Sequence, residues 1–416
     1  MQMVIAIASV EELKRYGGAR EALFRSVCGV PLLERVMATG TRAGADRALV
    51  IHREPIRSAI KLYLRSSKFL KGLRRIEFVQ VPDFEPNSPI SRREIFGYLE
   101  DEFFWLPWNW VTNKHSLLGL DLVETRPESW DRPIRISRFA VLGCRRPEPL
   151  PESNRQGVPV TSPSSGEAAE RWLVAHSGKP LDGIYSKFNR WLCRPLVRAL
   201  AHTFVTPNMV TFAGLLVAIV AAYCFSEGTY LASLTAALLF FLSGLLDEVD
   251  GMLARVRFSD SALGTWLEGT VDNISYLLLF GGITIGLYHQ RGAQEVLIGE
   301  AALIGSILAV AIISWQRKRS TRADRPHEYL GNVFKLLDAD RGNWISRSVR
   351  EVHIFIKKGV FIHYVLLFTA LGLLPLLLRL AAFASNLTWI IALYFSFRFF
   401  RRREPGAGVV ELSKAA

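Results

Sequence analysis

Four acidic side chains stand at the facing ends of two apolar segments of the chain. They are Asp247, Asp250, Glu268 and Asp272. The first two follow the apolar run 231–246, and the last two precede the run 274–287. Residues three or four apart share one face of a helix, so each pair lies on one face. The short polar connection 256–263 predicts an antiparallel helix hairpin that brings the four carboxylates together near a membrane surface.

A cluster of this kind needs a compensating charge. An acidic side chain at the centre of a spanning helix costs roughly 2.5–3.5 kcal/mol, and neighbouring carboxylates repel one another. Oxygen ligands suit Mg²⁺ or Mn²⁺, and a pair of such ions stabilises the attacking and leaving oxygens of phosphoryl transfer. The alternative is solvation by water or pairing with Arg255 and Arg257. For four acids at this spacing, the metal interpretation is favoured.

The acids belong to a longer pattern of fixed spacing, Asp-x2-Asp-Gly-x2-Ala-Arg-x8-Gly-x3-Glu-x3-Asp. The pattern resembles the signature of the CDP-alcohol phosphotransferase (phosphatidyltransferase) family at seven of eight fixed positions. The matching residues are Asp247, Asp250, Gly251, Ala254, Arg255, Gly264 and Asp272. Glu268 stands where the family has its third aspartate. Glutamate keeps the charge but adds a methylene, which affects metal geometry and rate more than fold.

The resemblance implies an integral-membrane transferase. Such an enzyme moves a substituted phosphate group from a CDP-alcohol to an acceptor alcohol or alcohol phosphate and releases CMP, in phospholipid or inositol-phosphate-type biosynthesis. The resemblance implies that the four acids hold two Mg²⁺ or Mn²⁺ ions, and that Asp272 is the base that takes the acceptor's proton. It also implies a homodimer formed through the membrane domain.

The same resemblance implies a substrate-binding set. Its members are Thr206, Pro207, Asn208, Thr211, Gly251, Ala254, Arg255 and Gly264. The small residues leave room for the nucleotide, and the arginine can neutralise phosphate charge. The family carries a similar Pro-Asn-x-x-Thr string in its cytidine site. The alternative for that string is a capped helix start, where proline is favoured.

Basic residues after the fourth apolar run are candidates for holding an acceptor's phosphate. They are Arg317, Lys318, Arg319 and Lys357. The general excess of cations on the inner side of membranes also accounts for them.

Composition separates the chain into unlike parts. A length of 416 residues predicts two or more domains. The net charge of +13 arises from basic residues that crowd beside apolar runs, which favours anionic lipid headgroups and phosphorylated substrates over nucleic acid. The four cysteines are scattered without a Cys-x-x-Cys motif, as is typical of reduced thiols facing a reducing compartment. No secretory signal pattern opens the chain, so we expect a cytoplasmic N-terminal domain.

Six apolar runs are near the roughly 20 residues needed to cross a bilayer. They are 207–226, 230–253, 264–288, 294–315, 356–374 and 376–398. The loop 316–358 holds eleven Lys or Arg against five acids, whereas the connections 226–229 and 289–293 carry one Arg between them. The positive-inside rule therefore places both termini and the acidic cluster on the cytoplasmic side of the cell (inner) membrane.

The predicted fold is a soluble α/β domain followed by an α-helical polytopic membrane domain with six spanning helices. The predicted segments are the α/β domain (1–145), a Pro-rich linker (146–167), an amphipathic juxtamembrane segment (168–204), the membrane domain (205–400) and a basic tail (401–416). In the juxtamembrane segment, cations spaced three or four apart alternate with apolar residues, which predicts a helix lying in the membrane interface. The aromatic run 103–110 fits either an interface or a core, and the core is favoured.

The N-terminal domain resembles sugar-phosphate nucleotidyltransferases weakly. The likeness rests on the segment 29–36 and on the predicted elements Met3–Val10, Leu32–Ala43 and Arg47–His52. Such enzymes need a Gly-rich loop after the first strand to hold nucleotide phosphates, and this chain offers only Gly17-Gly18-Ala19-Arg20. We therefore favour a degenerate, non-catalytic domain.

A second function class stays open alongside the enzyme. A degenerate family member that binds CDP-alcohols or lipid as a membrane anchor or regulator would also carry this pattern, and Glu268 supports it. A transporter is less favoured, because the apolar runs lack paired Gly/Pro-interrupted segments. Release of CMP from a CDP-alcohol separates the first two classes.

Overall fold

The computed structural model describes residues 1–54, 58–143, 147–151, 156–178, 183–321, 329–340, 342–356 and 358–400. It divides into two compact units. The N-terminal unit comprises Met1–Ser177 with Arg198–Thr203 and Val256–Phe258. The helical unit comprises Gly178–Val197, Phe204–Arg255 and the chain from Ser259 onward. The predicted basic tail 401–416 lies outside the described residues.

The N-terminal unit contains short strands and helices in alternation. Its strands are β1 (Gln2–Ala6), β2 (Ser26–Val27), β3 (Val30–Pro31), β4 (Arg47–His52), β5 (Arg75–Gln80), β6 (Glu102–Trp105), β7 (Trp110–Val111), β8 (Leu122–Val123), β9 (Ile134–Ser137) and β10 (Val158–Pro159). Its helices are α1 (Val10–Lys14), α2 (Ala19–Phe24), α3 (Leu32–Arg42), α4 (Ser58–Ser66), α5 (Pro89–Phe96), α6 (Lys114–Leu118), α7 (Arg138–Leu142) and α8 (Pro163–Ala175). A 3₁₀ turn covers Lys68–Leu70.

Six of the strands form one sheet in the order β5-β4-β1-β6-β9-β8. Strand β1 runs parallel to both of its neighbours, and Val4 pairs with Leu49 on one side and Trp105 on the other. Strand β9 is antiparallel to β6. Helices alternate with these strands because parallel neighbours need a crossover connection. The predicted α/β domain is confirmed, and β4 has the predicted bounds.

The aromatic run 103–110 belongs to the core of this unit. Phe103, Phe104 and Trp105 are at most 3% exposed, and Trp105 Nε1 donates to the Trp130 carbonyl at 2.9 Å. A buried indole N–H needs such a partner. The core interpretation of this run is therefore confirmed.

The glycine pair of the N-terminal unit forms a turn between helices. Gly17 (φ +90°) and Gly18 (φ +99°) occupy the left-handed region and separate α1 from α2. Directly after β1, the helix α1 begins with Ser9, whose hydroxyl oxygen accepts from the Glu12 N–H at 3.2 Å. The segment that follows the first strand is thus a capped helix start, and the glycines come one helix later.

Part of the predicted linker 146–167 is folded into the N-terminal unit. Strand β10 pairs antiparallel with β7. Helix α8 starts at Pro163 behind Ser162, which forms a capping box with Ser165. Proline and serine are preferred at the first turn of a helix, so a composition typical of a linker is equally typical of this helix start.

The helical unit is built from long helices, most of them apolar, and from three shorter helices that precede the last long one. They are α9 (Ile184–Ala201), α10 (Pro207–Ser226), α11 (Tyr230–Val256), α12 (Ala262–Arg291), α13 (Gln294–Ser320), α14 (Tyr329–Ala339), α15 (Trp344–Ile356), α16 (Lys358–Ala370) and α17 (Leu374–Phe395). A π turn, Ser396–Phe400, follows α17. Glycines let α12 approach α10 closely, since a Cβ on Gly282 or Gly286 would overlap the carbonyl oxygens of Ala222 and Phe225.

Five described helices are long and apolar enough to cross a membrane: α10, α11, α12, α13 and Leu374–Phe399. The predicted span 356–374 is instead a shorter apolar helix, Gly359–Ala370, so the count of six spanning helices is not confirmed. Gly372 (φ +70°) ends this helix early, and the Leu373 N–H bonds back to the Phe368 carbonyl at 2.7 Å. The twelve described residues of this apolar helix reach only about 18 Å, whereas a bilayer core is about 30 Å thick.

Candidate active site

Three of the four predicted acids converge where α11 ends and α12 begins. Asp247, Asp250 and Glu268, hereafter the acidic triad, each place one carboxylate oxygen within 4.8 Å of the others. Asp250 is 3% exposed, and the other two are half-buried. Asp272 stands one turn further along α12 and is not part of the triad, although it interacts electrostatically with Asp250. The predicted hairpin therefore brings three of the carboxylates together, and the fourth lies one helical turn away.

The connection between the two helices is short because both helices extend beyond the predicted bounds. It covers only residues 257–261. Ser261 caps α12 by accepting from the Gly264 N–H at 3.0 Å. Arg257 donates to the carbonyls of Leu200 (2.7 Å) and Ala201 (2.9 and 3.0 Å), within the N-terminal unit. This arginine, which the sequence offered as a countercharge for the acids, thus bonds to backbone oxygens.

The start of α10 reaches the acidic triad through a threonine. Thr211 Oγ1 lies 2.5 Å from Asp250 Oδ2 and 3.1 Å from the Pro207 carbonyl oxygen. Thr206 caps the helix by accepting from the Met209 N–H at 3.3 Å. The Pro-Asn-x-x-Thr string is therefore part of a capped helix start, as one of the two interpretations predicted. Its threonine also places a hydroxyl group in contact with the triad.

The remaining predicted substrate residues lie around the same helix ends. A Cβ on Gly264 would lie 3.6 Å from Asn208 Oδ1, and a Cβ on Gly251 would lie 3.2 Å from Arg255 Nη1. The guanidinium of Arg255 thus folds back over Gly251, in space that a larger residue would fill. Ala254, one residue earlier, is half-buried on the same helix. Small residues and a cation are thereby grouped beside the acids.

Residues 204–397 match the model of the CDP-alcohol phosphatidyltransferase family. The chain belongs to this family. It is 32% identical over 132 residues to an archaetidylinositol phosphate synthase of Methanothermobacter thermautotrophicus, which is 30% of this chain and 62% of that protein. An uncharacterized protein of Aquifex aeolicus is 31% identical over 173 residues, which is 41% of this chain and 81% of that protein. A phosphatidylinositol phosphate synthase of Corynebacterium glutamicum is 32% identical over 130 residues, which is 31% of this chain and 57% of that protein.

The alignments have two consequences. The chain spans less than two thirds of the length of both named synthases. The region matched to the CDP-alcohol phosphatidyltransferase family includes the five candidate spans almost entirely, so the protein is a multi-pass membrane protein. The nucleotidyltransferase likeness of the N-terminal unit stays a prediction.

One of the predicted cations, Arg317, lies beside α12. A Cβ on Gly269 would lie 3.6 Å from Arg317 Nη1, which places that guanidinium beside the residue after Glu268. Arg319 stacks over the Trp315 ring at 4.4 Å, and Lys318 is exposed. Lys357 lies outside the described residues.

Sequence reasoning missed one acid within the family pattern. Glu248 occupies a variable position between two fixed aspartates, and its carboxylate accepts from Arg190 on α9 at 2.8 Å. The signal available in the sequence was a third acid inside the motif, which the spacing argument did not use.

Proposed function

We propose that this protein transfers a substituted phosphate group from a CDP-alcohol to an acceptor alcohol and releases CMP. The observation that carries the proposal is the convergence of three carboxylate oxygens within 4.8 Å at the ends of two apolar helices. Membership in the CDP-alcohol phosphatidyltransferase family supports it.

The donor set of the acidic triad fits a hard divalent cation. Three oxygen ligands meet in one place, and Asp250 is 3% exposed, so its charge requires compensation. Asp247, Asp250 and Glu268 would hold the ion, with Asp272 as a further ligand. When bound, Mg²⁺ or Mn²⁺ would neutralise the charge of the donor's pyrophosphate.

Side chains of the protein would transfer the proton, offset the phosphate charge and orient the carboxylate. Asp272 accepts the proton of the acceptor hydroxyl, for which it must come within about 3 Å of that oxygen. The oxygen then forms a bond to the β-phosphorus, the bond from that phosphorus to the bridging oxygen breaks, and CMP leaves with that oxygen. Arg255 offsets phosphate charge, and Gly251 leaves room for the nucleotide. Thr211 fixes the orientation of the Asp250 carboxylate through its hydroxyl.

We propose an inositol phosphate as the acceptor and a membrane-soluble CDP-alcohol as the donor. One relative is named archaetidylinositol phosphate synthase and another phosphatidylinositol phosphate synthase. The position of Arg317 beside Gly269 on α12 suits an acceptor phosphate close to the triad. The protein would then act in phospholipid or inositol-phosphate-type biosynthesis.

Purified full-length protein in lipid nanodiscs tests the proposal. CMP release is measured with CDP-diacylglycerol, CDP-archaeol and CDP-inositol as donors, with and without inositol phosphate, in Mg²⁺ or Mn²⁺. We expect release that depends on donor, acceptor and metal together. Binding of CDP-alcohol without CMP release under any condition would instead support the anchor or regulator class, which Glu268 at an aspartate position favours.

Location and assembly complete the proposal. The loop charges support a place in the cell (inner) membrane with a cytoplasmic N-terminal unit. A homodimer through the membrane domain follows from the family resemblance alone. Mass photometry of the nanodisc sample measures it, and a single protomer per disc at every protein concentration would contradict it.

A further inference from the structure

Helix α9 exposes several large apolar side chains and buries several polar ones. The exposed side includes Ile184 (84%), Phe188 (50%), Trp191 (58%) and Leu192 (43%). The buried side is formed by Ser186, Asn189, Arg190, Cys193 and Val197. A surface helix of a water-soluble protein shows the reverse arrangement, whereas a helix lying in a membrane interface shows this one. The buried polar groups therefore need partners inside the helical unit.

The partners lie on α11 and on α16. Arg190 Nε donates to Glu248 Oε2 at 2.8 Å, and the two side chains are 9% and 14% exposed. Cys193 Sγ donates to the Leu245 carbonyl at 3.4 Å. Asn189 Nδ2 donates to the Gly359 carbonyl at 3.0 Å. Two of these three contacts are made to Leu245 and Glu248 of α11, in the helical turn that contains Asp247.

The surroundings of the Arg190–Glu248 pair are closely packed. A Cβ on Gly359 would lie 3.3 Å from Glu248 Oε1, 3.2 Å from Ser186 Oγ and 3.5 Å from Asn189 Nδ2. The backbone of α16 thus closes over the pair where a side chain would intrude. A charge pair shielded from water in this way is screened little by salt, so its attraction persists at physiological ionic strength.

Helix geometry shows how these contacts affect the rotation of α11 about its axis. With 3.6 residues per turn, successive side chains leave a helix about 100° apart. Glu248 therefore points about 100° away from Asp247 and about 160° away from Asp250. Arg190 holds α11 from the side opposite Asp250, while Thr211 contacts Asp250 itself on the other side. Holding both sides of one turn fixes the rotation of α11 about its axis, and that rotation sets where the two aspartates point.

We infer that Arg190 is a positioning residue, which orients the metal-binding turn of α11 through Glu248 without touching substrate. The inference rests on the proposed function.

The test measures metal binding as well as turnover in the full-length protein in nanodiscs. Binding of Mn²⁺ is followed by electron paramagnetic resonance without substrate, and CMP release gives KM and kcat. We expect Arg190→Gln and Glu248→Gln to raise the Kd for Mn²⁺ at least tenfold, and Arg190→Lys to recover part of the loss. KM for the CDP-alcohol should rise with the Kd for Mn²⁺.

A second ion pair of the same unit provides the matched control. Arg379 pairs with Glu295 at 2.9 Å, and the Glu295 side chain is 4% exposed. This pair joins the start of α13 to α17, away from the acidic motif in the sequence. Arg379→Gln should lower thermal stability as Arg190→Gln does, yet leave the Kd for Mn²⁺ within about twofold of wild type.

Two failures are distinguishable. If wild type binds Mn²⁺ and releases CMP but Arg190→Gln keeps the wild-type Kd, the pair is only structural and the inference is overturned. If wild type neither binds Mn²⁺ nor releases CMP, the proposed function itself fails. Should Arg190→Gln not insert stably, the double variant Arg190→Gln/Glu248→Gln removes both buried charges, and a wild-type Kd in it overturns the inference equally.

Discussion

Thr211 Oγ1 on α10 lies 2.5 Å from Asp250 Oδ2 on α11, joining the capped start of one helix to the most buried carboxylate of the acidic triad. A buried carboxylate with a hydroxyl donor is held in one orientation, because a hydrogen bond to a charged acceptor is stronger than a neutral one. The family string that begins at Pro207 therefore contributes to the site by orienting the Asp250 carboxylate.

Removing that hydroxyl should weaken metal binding. Thr211→Val keeps the shape of the side chain but leaves the Asp250 oxygen without this donor, so we expect the Kd for Mn²⁺ to rise about tenfold, roughly 1.4 kcal/mol. Thr211→Ser should bind as wild type does. Thr235→Val serves as the control, because the Thr235 hydroxyl bonds only to the Leu231 carbonyl of its own helix among the contacts that the structure describes (3.0 Å). Wild-type binding by Thr211→Val would show that the contact does not order the ligand.

Removing the metal or its buried ligand should abolish activity. EDTA in excess and the substitution Asp250→Asn should each stop CMP release, because a neutral amide does not replace a carboxylate ligand of a hard cation. Asp260→Asn, in the exposed connection between the two helices, should retain activity. Full turnover in excess EDTA would exclude the metal mechanism.

Local spacing explains what could be predicted from the sequence. Asp247 and Asp250 are three residues apart, and apolar residues flank the motif on either side. The structure that these patterns predict is formed by contacts within one helix and with the helix next to it. The hairpin, the convergence of the acids and the starts of α10 and α13 therefore match the sequence closely. The strand Arg47–His52 is equally local, since its apolar run is bounded by turn residues.

Contacts between distant segments explain what could not be predicted. Helix α16 ends before Gly372, which has a left-handed backbone conformation. The apolar run continues across this glycine, so hydropathy alone does not show where the helix ends. The Arg190–Glu248 pair joins residues 58 positions apart, and neither residue carries a signal for the other. Ser162 and Pro163 suit a linker and a helix start alike, and only the packing of β10 on β7 distinguishes the two.

The topology predicts which loops are accessible from outside the cell. In a background without native cysteines, Ala293→Cys, in an exposed turn before α13, should react with a membrane-impermeant maleimide on intact cells. Ser348→Cys, exposed on α15, should react only after the membrane is permeabilised. The charge of the loop 316–358 gives the reason. The opposite labelling pattern would reverse the orientation.

The N-terminal unit should have no nucleotidyltransferase activity. Ser9, rather than a glycine loop, follows its first strand, and the Gly17-Gly18 turn comes one helix later. We expect no pyrophosphate release from CTP with sugar or inositol phosphates. The measurement uses the full-length chain, because the unit extends to Ser177 and includes segments from further along the sequence. CTP-dependent pyrophosphate release that survives Asp250→Asn would contradict this prediction.

Glu268 is the position where the chain departs from its family, and its carboxylate nevertheless reaches the acidic triad. Magnesium tolerates little departure from octahedral geometry at about 2.0–2.1 Å, so the extra methylene should matter for rate and for metal choice. Glu268→Asp should retain or raise turnover and shift the preference between Mg²⁺ and Mn²⁺. Glu268→Gln removes the charge and should lower turnover at least tenfold, about 1.4 kcal/mol in the activation barrier.

The outcomes of these two substitutions separate an enzyme from a degenerate relative. Wild-type kinetics in Glu268→Gln would mean that the residue is not a ligand. An inert wild type that gains CMP release through Glu268→Asp would instead identify a binding protein that has lost its chemistry through this one methylene. Thermal unfolding of each variant in nanodiscs, with and without Mn²⁺, is the necessary control, because losing the metal leaves carboxylates in repulsion and weakens the hairpin itself. A variant that unfolds as wild type does without metal, but no longer gains stability when Mn²⁺ is added, has lost the ligand and kept the fold.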